Sequence, residues 1–307
     1  MSPSAIRPVV AIGAVHMDTI AHAFQDIRPE TSTPAQFGTS PGGVATNVAR
    51  ALNRLGLETC LVGSVGDDGA AQALTRQLDA EGLRLCLVPR PGFATGRYVA
   101  LHDPDGSLKA ACVDDRILSE APADLFDAVL DEIAGTAPGR TIWFVEANLP
   151  APVLTRVLER TGSGLVFANA VSNAKSVRLK PHLRRLNCLM LNRGEAAALT
   201  GKPEGTPLAA LAEALRHTGL ETFVLTDGGS QLMVLEDGSF ERFVPAVTSI
   251  VDVTGAGDAL TAGIIAALAR GFSLKEAVPF GLSAAALTLR TTGALAGSLS
   301  WAALGGN

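Results

Sequence analysis

The sequence lacks the features that mark binding to nucleic acids or membranes. Its 307 residues contain 25 Lys and Arg against 30 Asp and Glu, a formal net charge of −5 at pH 7. Nucleic-acid phosphates require clustered basic residues, which this balance does not supply. No run approaches the roughly 20 apolar residues of a membrane span, and the N-terminal segment has no signal-peptide cleavage pattern. We therefore expect no nucleic-acid partner, no membrane partner and a cytoplasmic location.

Cysteine and the common nucleotide motifs are also scarce. The four cysteines form no C-x-x-C pair and have no histidine at metal-ligand spacing, which indicates buried thiols in a reducing compartment. The only Gly-Lys pair is followed by Pro203, so there is no P-loop. Leu260 occupies the position of the third glycine in G-x-G-x-x-G, so no Rossmann dinucleotide site is predicted either.

What the sequence does contain is an alternation of strand and helix signals. Six short apolar runs end in turn residues, as strands buried on both faces do: PVVAIGAV, TCLVGSVG, TIWFVEAN, GLVFANAV, NCLMLN and TFVLTDGG. Amphipathic stretches of helical length lie between several of these runs. The alternation predicts a largely parallel sheet with helices on both sides. Since no repeat or linker is visible, we expect one domain over residues 1–307.

Two segments depart from this alternation. Residues 19–39 lack helical periodicity, and residues 96–116 have the pattern of a hairpin with its turn at 103–106. We expect them to form a small antiparallel sheet that projects from the main body. A further hairpin, with a D-G turn at residues 237–238, is expected at an antiparallel edge of the main sheet.

The segment DVTGAGDALTAG, residues 252–263, places glycines and an acid at the start of a helix. Apolar residues recur every four positions after it, so the helix begins near Gly257 or Asp258 and ends before Gly271. Unsatisfied backbone N–H groups and the helix dipole favour an anion there. Asp258 has two interpretations: it complements the dipole, or it accepts a proton from a hydroxyl during phosphoryl transfer.

Two long signatures resemble those of the ribokinase-like (PfkB) family of carbohydrate and nucleoside kinases. One is the segment 252–263, and the other is PGGVATNVARALNRLG, residues 41–56. The resemblance implies a ribokinase-like three-layer α/β sandwich, with a largely parallel central sheet and a small β-sheet lid from residues 19–39 and 96–116. It also implies ATP-dependent phosphorylation of a sugar or nucleoside hydroxyl, with Mg²⁺ as cofactor, in a cleft between sheet and lid.

By this resemblance Asp258 is the catalytic base. The anion hole for the γ-phosphate of ATP is assigned to the backbone N–H groups of Gly255, Ala256 and Gly257. Asp252 and Thr254 occupy positions where many family members bind a monovalent cation such as K⁺. The alternative for Asp252 is an aspartate that satisfies N–H groups of a turn.

The first signature resembles the sugar-binding element of the family. There the paired glycines, here Gly42 and Gly43, let the substrate lie against the backbone, and Asn47 bonds to sugar hydroxyls. The alternative for Gly42 and Gly43 is an ordinary helix-entry turn, and the alternative for Asn47 is a solvated helix face. Asp18 matches the acid that holds two sugar hydroxyls, but His16 replaces the asparagine that usually precedes it.

Two elements resemble nucleotide-binding parts of the family. Asn192 and Glu195 match an N-x-x-E element in which Glu195 acts on hydrated Mg²⁺; the same residues also have the pattern of a helix capping box. Thr226 and Gly228 match a nucleotide-binding T-x-G-x-x-G turn, in which Gln231 replaces the last glycine.

The substrate is indicated by a partial resemblance to the pseudouridine kinase branch. Glu146 and Asn148 correspond to its D-x-N stretch, and Lys175 to the lysine of D-P-V-S-x-x-K, where Asn169 and Ala170 replace D-P. We expect phosphorylation of the 5′-hydroxyl of pseudouridine. Ribokinase, a general nucleoside kinase, a sugar-acid kinase and a non-catalytic sugar or nucleotide sensor are the alternatives. We also expect a homodimer through the lid.

The predicted lid contains Arg97 and the only tyrosine, Tyr98. Neighbours on a strand point to opposite faces, so only one of the two can face the substrate. A packing role is the alternative for Tyr98.

Overall fold

The computed structural model describes residues 6–136, 139–246 and 248–306. Its strands form a nine-stranded sheet and a separate four-stranded sheet. The strands are β1 (Val9–Ile12), β2 (His16–Ala23), β3 (Ala35–Gly42), β4 (Thr59–Val65), β5 (Arg84–Pro89), β6 (Gly96–His102), β7 (Leu108–Asp114), β8 (Ile142–Glu146), β9 (Leu165–Asn169), β10 (Cys188–Asn192), β11 (Phe223–Asp227), β12 (Gln231–Glu236) and β13 (Ser239–Phe243).

The helices lie mostly between consecutive strands of the large sheet. They are α1 (Val44–Arg54), α2 (Gly69–Ala80), α3 (Arg116–Ser119), α4 (Asp127–Thr136), α5 (Ala151–Arg160), α6 (Asn173–Ser176), α7 (Arg193–Thr200), α8 (Leu208–His217), α9 (Ala256–Leu268) and α10 (Leu274–Leu289), with 3₁₀ segments at Val177–Arg185 and Ala302–Leu304. None of the described helices is long and apolar enough to cross a membrane.

The large sheet has the order β13-β12-β11-β10-β9-β8-β1-β4-β5. The seven strands from β11 to β5 in this order pair in parallel, and β12 and β13 add an antiparallel hairpin at one edge. All six predicted strands and the edge hairpin are therefore confirmed. The edge strand β5 was not predicted.

Two apolar cores cover the two faces of the large sheet. Val9 and Ala11 belong to one core, together with residues of α1, α2, α9 and α10. Val10 and Ile12 belong to the other, together with residues of α4, α5, α7 and α8. Because neighbouring residues of a strand point to opposite faces, a continuous apolar run buries both. The predicted three-layer sandwich is confirmed.

The small sheet has the order β3-β2-β6-β7. The expectation of a purely antiparallel sheet is wrong, because β2 and β6 pair in parallel. Each of them follows a parallel strand of the large sheet, β1 and β5, and so leaves the same edge in the same direction. The sheet also begins earlier than expected: it includes His16, which pairs with both Gly42 and Gly96.

The pairing of β2 with β6 decides which residues share a face. Asp18 is the register partner of Tyr98, and Met17 is the partner of Arg97. Side chains of paired residues lie on the same face of a sheet. Tyr98 therefore shares the face of Asp18, and Arg97 lies on the opposite face.

The four cysteines are all free thiols. Cys60 and Cys188 are buried, Cys86 is half-buried and Cys112 is exposed. The expectation of buried thiols is therefore wrong for Cys112, which lies on the small sheet rather than in a core.

Candidate active site

The carboxyl ends of the parallel strands meet at one edge of the large sheet, and polar residues stand there. Asn148 follows β8, Asn169 ends β9, Asn192 ends β10 and Asp227 ends β11. Ligands of open α/β sheets bind at this edge. The small sheet leaves the same edge through β2, which carries Asp18. The candidate site is therefore the cleft between the two sheets and the start of α9.

The start of α9 is a glycine-rich turn. Gly255 is its N-cap residue with φ 73°, a left-handed conformation that favours glycine. A Cβ there would lie 2.5 Å from the backbone of Ala294, whereas one at Gly257 would meet nothing within 4 Å. The N–H of Ala256 donates to Val253 O at 3.4 Å. The space above Gly257 is thus open to a ligand.

Asp258 stands in the first turn of α9 and contacts the first signature. Asn47 Nδ2 donates a hydrogen bond of 2.8 Å to Asp258 Oδ2. Burial raises the pKa of Asp258 to about 7; the bond from Asn47 opposes this rise, and the charges of Glu146 and Asp18 add to it. A carboxyl group with this pKa can exchange a proton near neutral pH.

Gly42 and Gly43 leave space for the Asp18 carboxylate and the backbone oxygen of Ala14. A Cβ on Gly42 would lie 2.0 Å from Asp18 Oδ2, and one on Gly43 would lie 2.2 Å from Ala14 O. Gly43 also has φ 98° as the N-cap residue of α1. Burial raises the pKa of Asp18 to about 7, and its Oδ1 has no hydrogen-bond partner among the described residues.

Glu146 is fully buried at the carboxyl end of β8. Its Oε1 accepts a hydrogen bond of 2.6 Å from Ala14 N, and its Oε2 accepts one of 2.6 Å from Asn148 N. Gly13 admits this carboxyl group, because a Cβ there would lie 2.1 Å from Oε1. Burial raises the pKa of Glu146 to about 7 against these bonds. The geometry of Glu146 is that of a residue that positions its neighbours.

Lys175 joins the small sheet to the main body. Its Nζ donates to Asn148 Oδ1 at 2.6 Å and to Asp115 Oδ2 at 3.2 Å. The helix that carries Lys175 begins after a strained turn: Val171 has φ 65°, and Ser172 N bonds to Ala170 O at 2.7 Å. Such a conformation is costly for a β-branched residue and persists where the surroundings impose it.

Asn192 and Glu195 form the predicted capping box of α7. Asn192 Oδ1 accepts from Glu195 N at 3.0 Å, and Glu195 Oε2 accepts from Asn192 N at 2.8 Å. The second oxygen of Glu195 accepts no bond from the described residues. No group of three or more metal-binding side chains occurs among the residues that the structure describes.

Asp252 holds two turns together beside the start of α9. Its Oδ1 accepts from Thr254 N and its Oδ2 from Gly293 N, both at 2.8 Å. These bonds agree with the turn-stabilising interpretation of Asp252. The monovalent-cation role of Asp252 and Thr254 stays a prediction.

The segment from Thr226 to Gln231 is the hairpin turn between β11 and β12. Asp227 and Gln231 are register partners, and Gly228 has φ 55°. A Cβ on Gly228 would meet nothing within 4 Å. The turn is open at the edge of the cleft, and its contact with a nucleotide stays a prediction.

Several residues of the cleft were missed in the sequence. Asp115 follows β7 and reaches Lys175 across the cleft, and Thr46 is fully buried and donates to Ala14 O at 2.9 Å. Gly13 was visible as a glycine inside an apolar run, where glycine often marks a close approach of another group. No local pattern indicated Asp115.

The raised pKa of Asp258 predicts how the stability of the protein depends on pH. The folded pKa of Asp258 lies above its ordinary value of 3.8, so the stabilisation from its proton is full below that value and is lost as pH rises through about 7. We expect Asp258→Asn, which can still accept the bond from Asn47, to raise the melting temperature by several degrees at pH 8 and by clearly less at pH 5.

Thermal unfolding followed from pH 5 to pH 8 would test this, with the exposed Asp67→Asn as the matched control. An equal effect of Asp258→Asn at both pH values would contradict the pKa shift.

Comparison with known proteins identifies the family. The family model described as pfkB family carbohydrate kinase matches residues 7–301. The pseudouridine kinase of Escherichia coli strain K12 is 30% identical over 291 residues, 92% of this chain and 91% of that protein. The ribokinase of Bacillus subtilis strain 168 is 28% identical over 299 residues, 95% of this chain and 96% of that protein. A solved structure of a carbohydrate kinase from Agrobacterium tumefaciens matches with a TM-score of 0.85 at 28% identity. The match covers 97% of this chain and 96% of that protein. The chain therefore belongs to the pfkB family of carbohydrate kinases, as its two signatures predicted.

Proposed function

We propose that this kinase transfers the γ-phosphoryl group of ATP to a hydroxyl group of a sugar or nucleoside. The observation that carries the proposal is the position of Asp258. It stands at the glycine-rich start of α9 and is hydrogen-bonded to Asn47. An acid at this point lies between an anion-binding turn and a polar cleft. A non-catalytic sensor would not need such an acid.

The proposed mechanism assigns one role to each part. Asp258 takes the proton of the substrate hydroxyl, whose oxygen attacks the γ-phosphorus while the bond to the bridging oxygen of ADP breaks. The N–H groups of residues 255–257 stabilise the charge on the transferring group. Asp18 and Asn47 each offer an oxygen without a hydrogen-bond partner, and these oxygens hold the sugar hydroxyls.

Mg²⁺ would neutralise charge on the phosphates, and Glu195, with one uncommitted carboxylate oxygen, is the residue to hold it through water. Asn192 would contact the phosphates, and Thr226 and Gly228 would line the nucleotide side of the cleft. Asp252 and Thr254 would bind K⁺, for which each carboxylate oxygen of Asp252 keeps a second lone pair beside its one hydrogen bond. The small sheet would act as a lid that excludes water from the phosphoryl group.

We propose pseudouridine as the substrate, phosphorylated at its 5′-hydroxyl. The support is the 30% identity to the pseudouridine kinase of Escherichia coli and the joint position of Asn148 and Lys175 in the cleft. Ribokinase is the second candidate, because the Bacillus subtilis enzyme is 28% identical. A general nucleoside kinase and a sugar-acid kinase are further outcomes of the substrate test below.

We also propose a cytoplasmic location, because all four cysteines are free and thiols persist in reducing compartments.

The role of Asp258 can be tested kinetically. Asp258→Asn should fold and bind ATP, yet lower kcat by roughly 10²- to 10⁴-fold, which is the usual contribution of a general base. ADP release and ATP titration would measure the two properties separately. Turnover near the wild-type rate would overturn the assignment, and Asp67→Asn serves as the control for an exposed carboxyl group.

The substrate can be tested by comparing kcat/KM for pseudouridine, uridine, ribose and a sugar acid. We expect pseudouridine to exceed uridine and ribose by at least about tenfold, or about 1.4 kcal/mol of transition-state discrimination. Equal values for uridine and pseudouridine would indicate a general nucleoside kinase. A preference for ribose or the sugar acid would overturn the pseudouridine proposal and leave the kinase proposal intact.

We further propose a homodimer through the small sheet. The face of this sheet opposite Asp18 carries Phe37, which is 65% exposed, and the exposed Cys112. An exposed apolar face of a sheet is a common site of association. Light scattering should give twice the chain mass for the wild type and for Val177→Glu, a control on the main body, and a lower mass for Phe37→Glu. A monomeric wild type would contradict the proposal.

A further inference from the structure

His16 is a buried imidazole in the cleft that lacks a hydrogen-bond partner. Its side chain is 8% exposed, and Nε2 meets no partner among the described residues. Buried polar atoms are nearly always satisfied, so an orphan of this kind requires an explanation. A bound ligand supplies one, because His16 shares a sheet face with Asp18 and Tyr98.

The imidazole is neutral at physiological pH. Burial lowers the pKa of His16 to about 4, and the charge of Lys175 lowers it further than the charge of Asp115 raises it. A neutral imidazole has one nitrogen that donates a hydrogen bond and one that accepts. In the tautomer with its proton on Nδ1, the unpaired Nε2 of His16 is an acceptor that brings no charge into the cleft.

His16 and Asp258 are influenced by different charged groups. The charges that act on Asp258 are those of Glu146, Asp18 and Glu195. The charges that act on His16 are those of Lys175 and Asp115. We call the group of His16, Lys175 and Asp115 the far end of the cleft, and Asp18 follows His16 two residues later on the same face of β2.

The far end of the cleft is polar but balanced in charge. The ammonium group of Lys175 is paired with Asp115 at 3.2 Å and is also bound by Asn148 at 2.6 Å. Because Asp115 already balances the charge of Lys175, a carboxylate of a sugar acid would meet no net positive charge there. A neutral ring with N–H and C=O groups side by side needs no charge partner, and it matches the acceptor of His16 and the side-chain N–H of Asn148.

We propose that His16 is a specificity-determining residue that accepts a hydrogen bond from a ring N–H of the substrate base. The inference rests on the proposed nucleoside kinase function and deepens it. In pseudouridine the N–H concerned is N1–H, which uridine lacks because its N1 carries the ribose. Uridine would leave the His16 acceptor unpaired in a buried place, which costs affinity.

Gly96 provides an independent way to disturb His16. A Cβ on Gly96 would lie 2.3 Å from His16 Cδ2, so Gly96→Ala must displace the ring. The φ of Gly96 is outside the left-handed region, so alanine fits the backbone there. The substitution thus moves the imidazole without touching Asp18, Asn47 or Asp258.

The test compares kcat/KM of the wild type and His16→Phe for pseudouridine, N1-methylpseudouridine, uridine and ribose. Phenylalanine keeps a ring in place and removes the acceptor. We expect wild type to prefer pseudouridine over both N1-methylpseudouridine and uridine by at least tenfold. His16→Phe should lower the value for pseudouridine at least tenfold, leave that for uridine unchanged, and so abolish the preference. Gly96→Ala should act in the same direction, and it replaces His16→Phe as the test if that variant fails to fold.

Two other results have distinct meanings. If both variants lower the values for pseudouridine, uridine and ribose equally, His16 acts on the sugar or on the fold, and the inference is overturned while the substrate proposal stands. If the wild type does not phosphorylate pseudouridine, the substrate proposal itself fails. Methylation at N1 without any effect on wild-type kcat/KM would also overturn the role of His16.

Discussion

The two halves of the cleft are joined by the buried carboxyl group of Glu146. One of its oxygens holds Ala14, which leads into β2 and therefore into His16 and Asp18. The other holds Asn148, which in turn binds Lys175. This arrangement exists because Gly13 has no side chain where the carboxyl group lies. One satisfied carboxyl group thus fixes the direction of the small sheet and the position of the far end of the cleft relative to it.

The buried acids of the cleft lower the stability of the folded state. Asp18, Glu146 and Asp258 all have pKa values raised to about 7 by burial, so their charged forms are disfavoured in the folded state. The apolar cores on both faces of the large sheet compensate for this cost. The strands that are buried on both faces therefore stabilise the fold. The strand ends, by contrast, hold acidic groups whose burial destabilises it.

The features that were predicted correctly are those that depend on residues close together in the sequence. The apolar runs gave the six strands because burial on both faces leaves few polar positions, and the glycines before Asp258 predicted the start of α9 because helix ends have their own backbone chemistry. The parallel pairing of β2 with β6 was missed, since it joins segments separated by five other elements. Asp115 was missed for the same reason, because its partner Lys175 lies 60 residues away.

In the proposed mechanism, the hydrogen bond between Asn47 and Asp258 would link substrate binding to the proton affinity of Asp258. The amide of Asn47 stabilises the charged form of Asp258, while neighbouring acids destabilise it. A substrate hydroxyl that accepted this Asn47 N–H in place of Asp258 would remove the stabilisation. The Asp258 carboxylate would then hold a proton more strongly at the stage when the substrate has one to give.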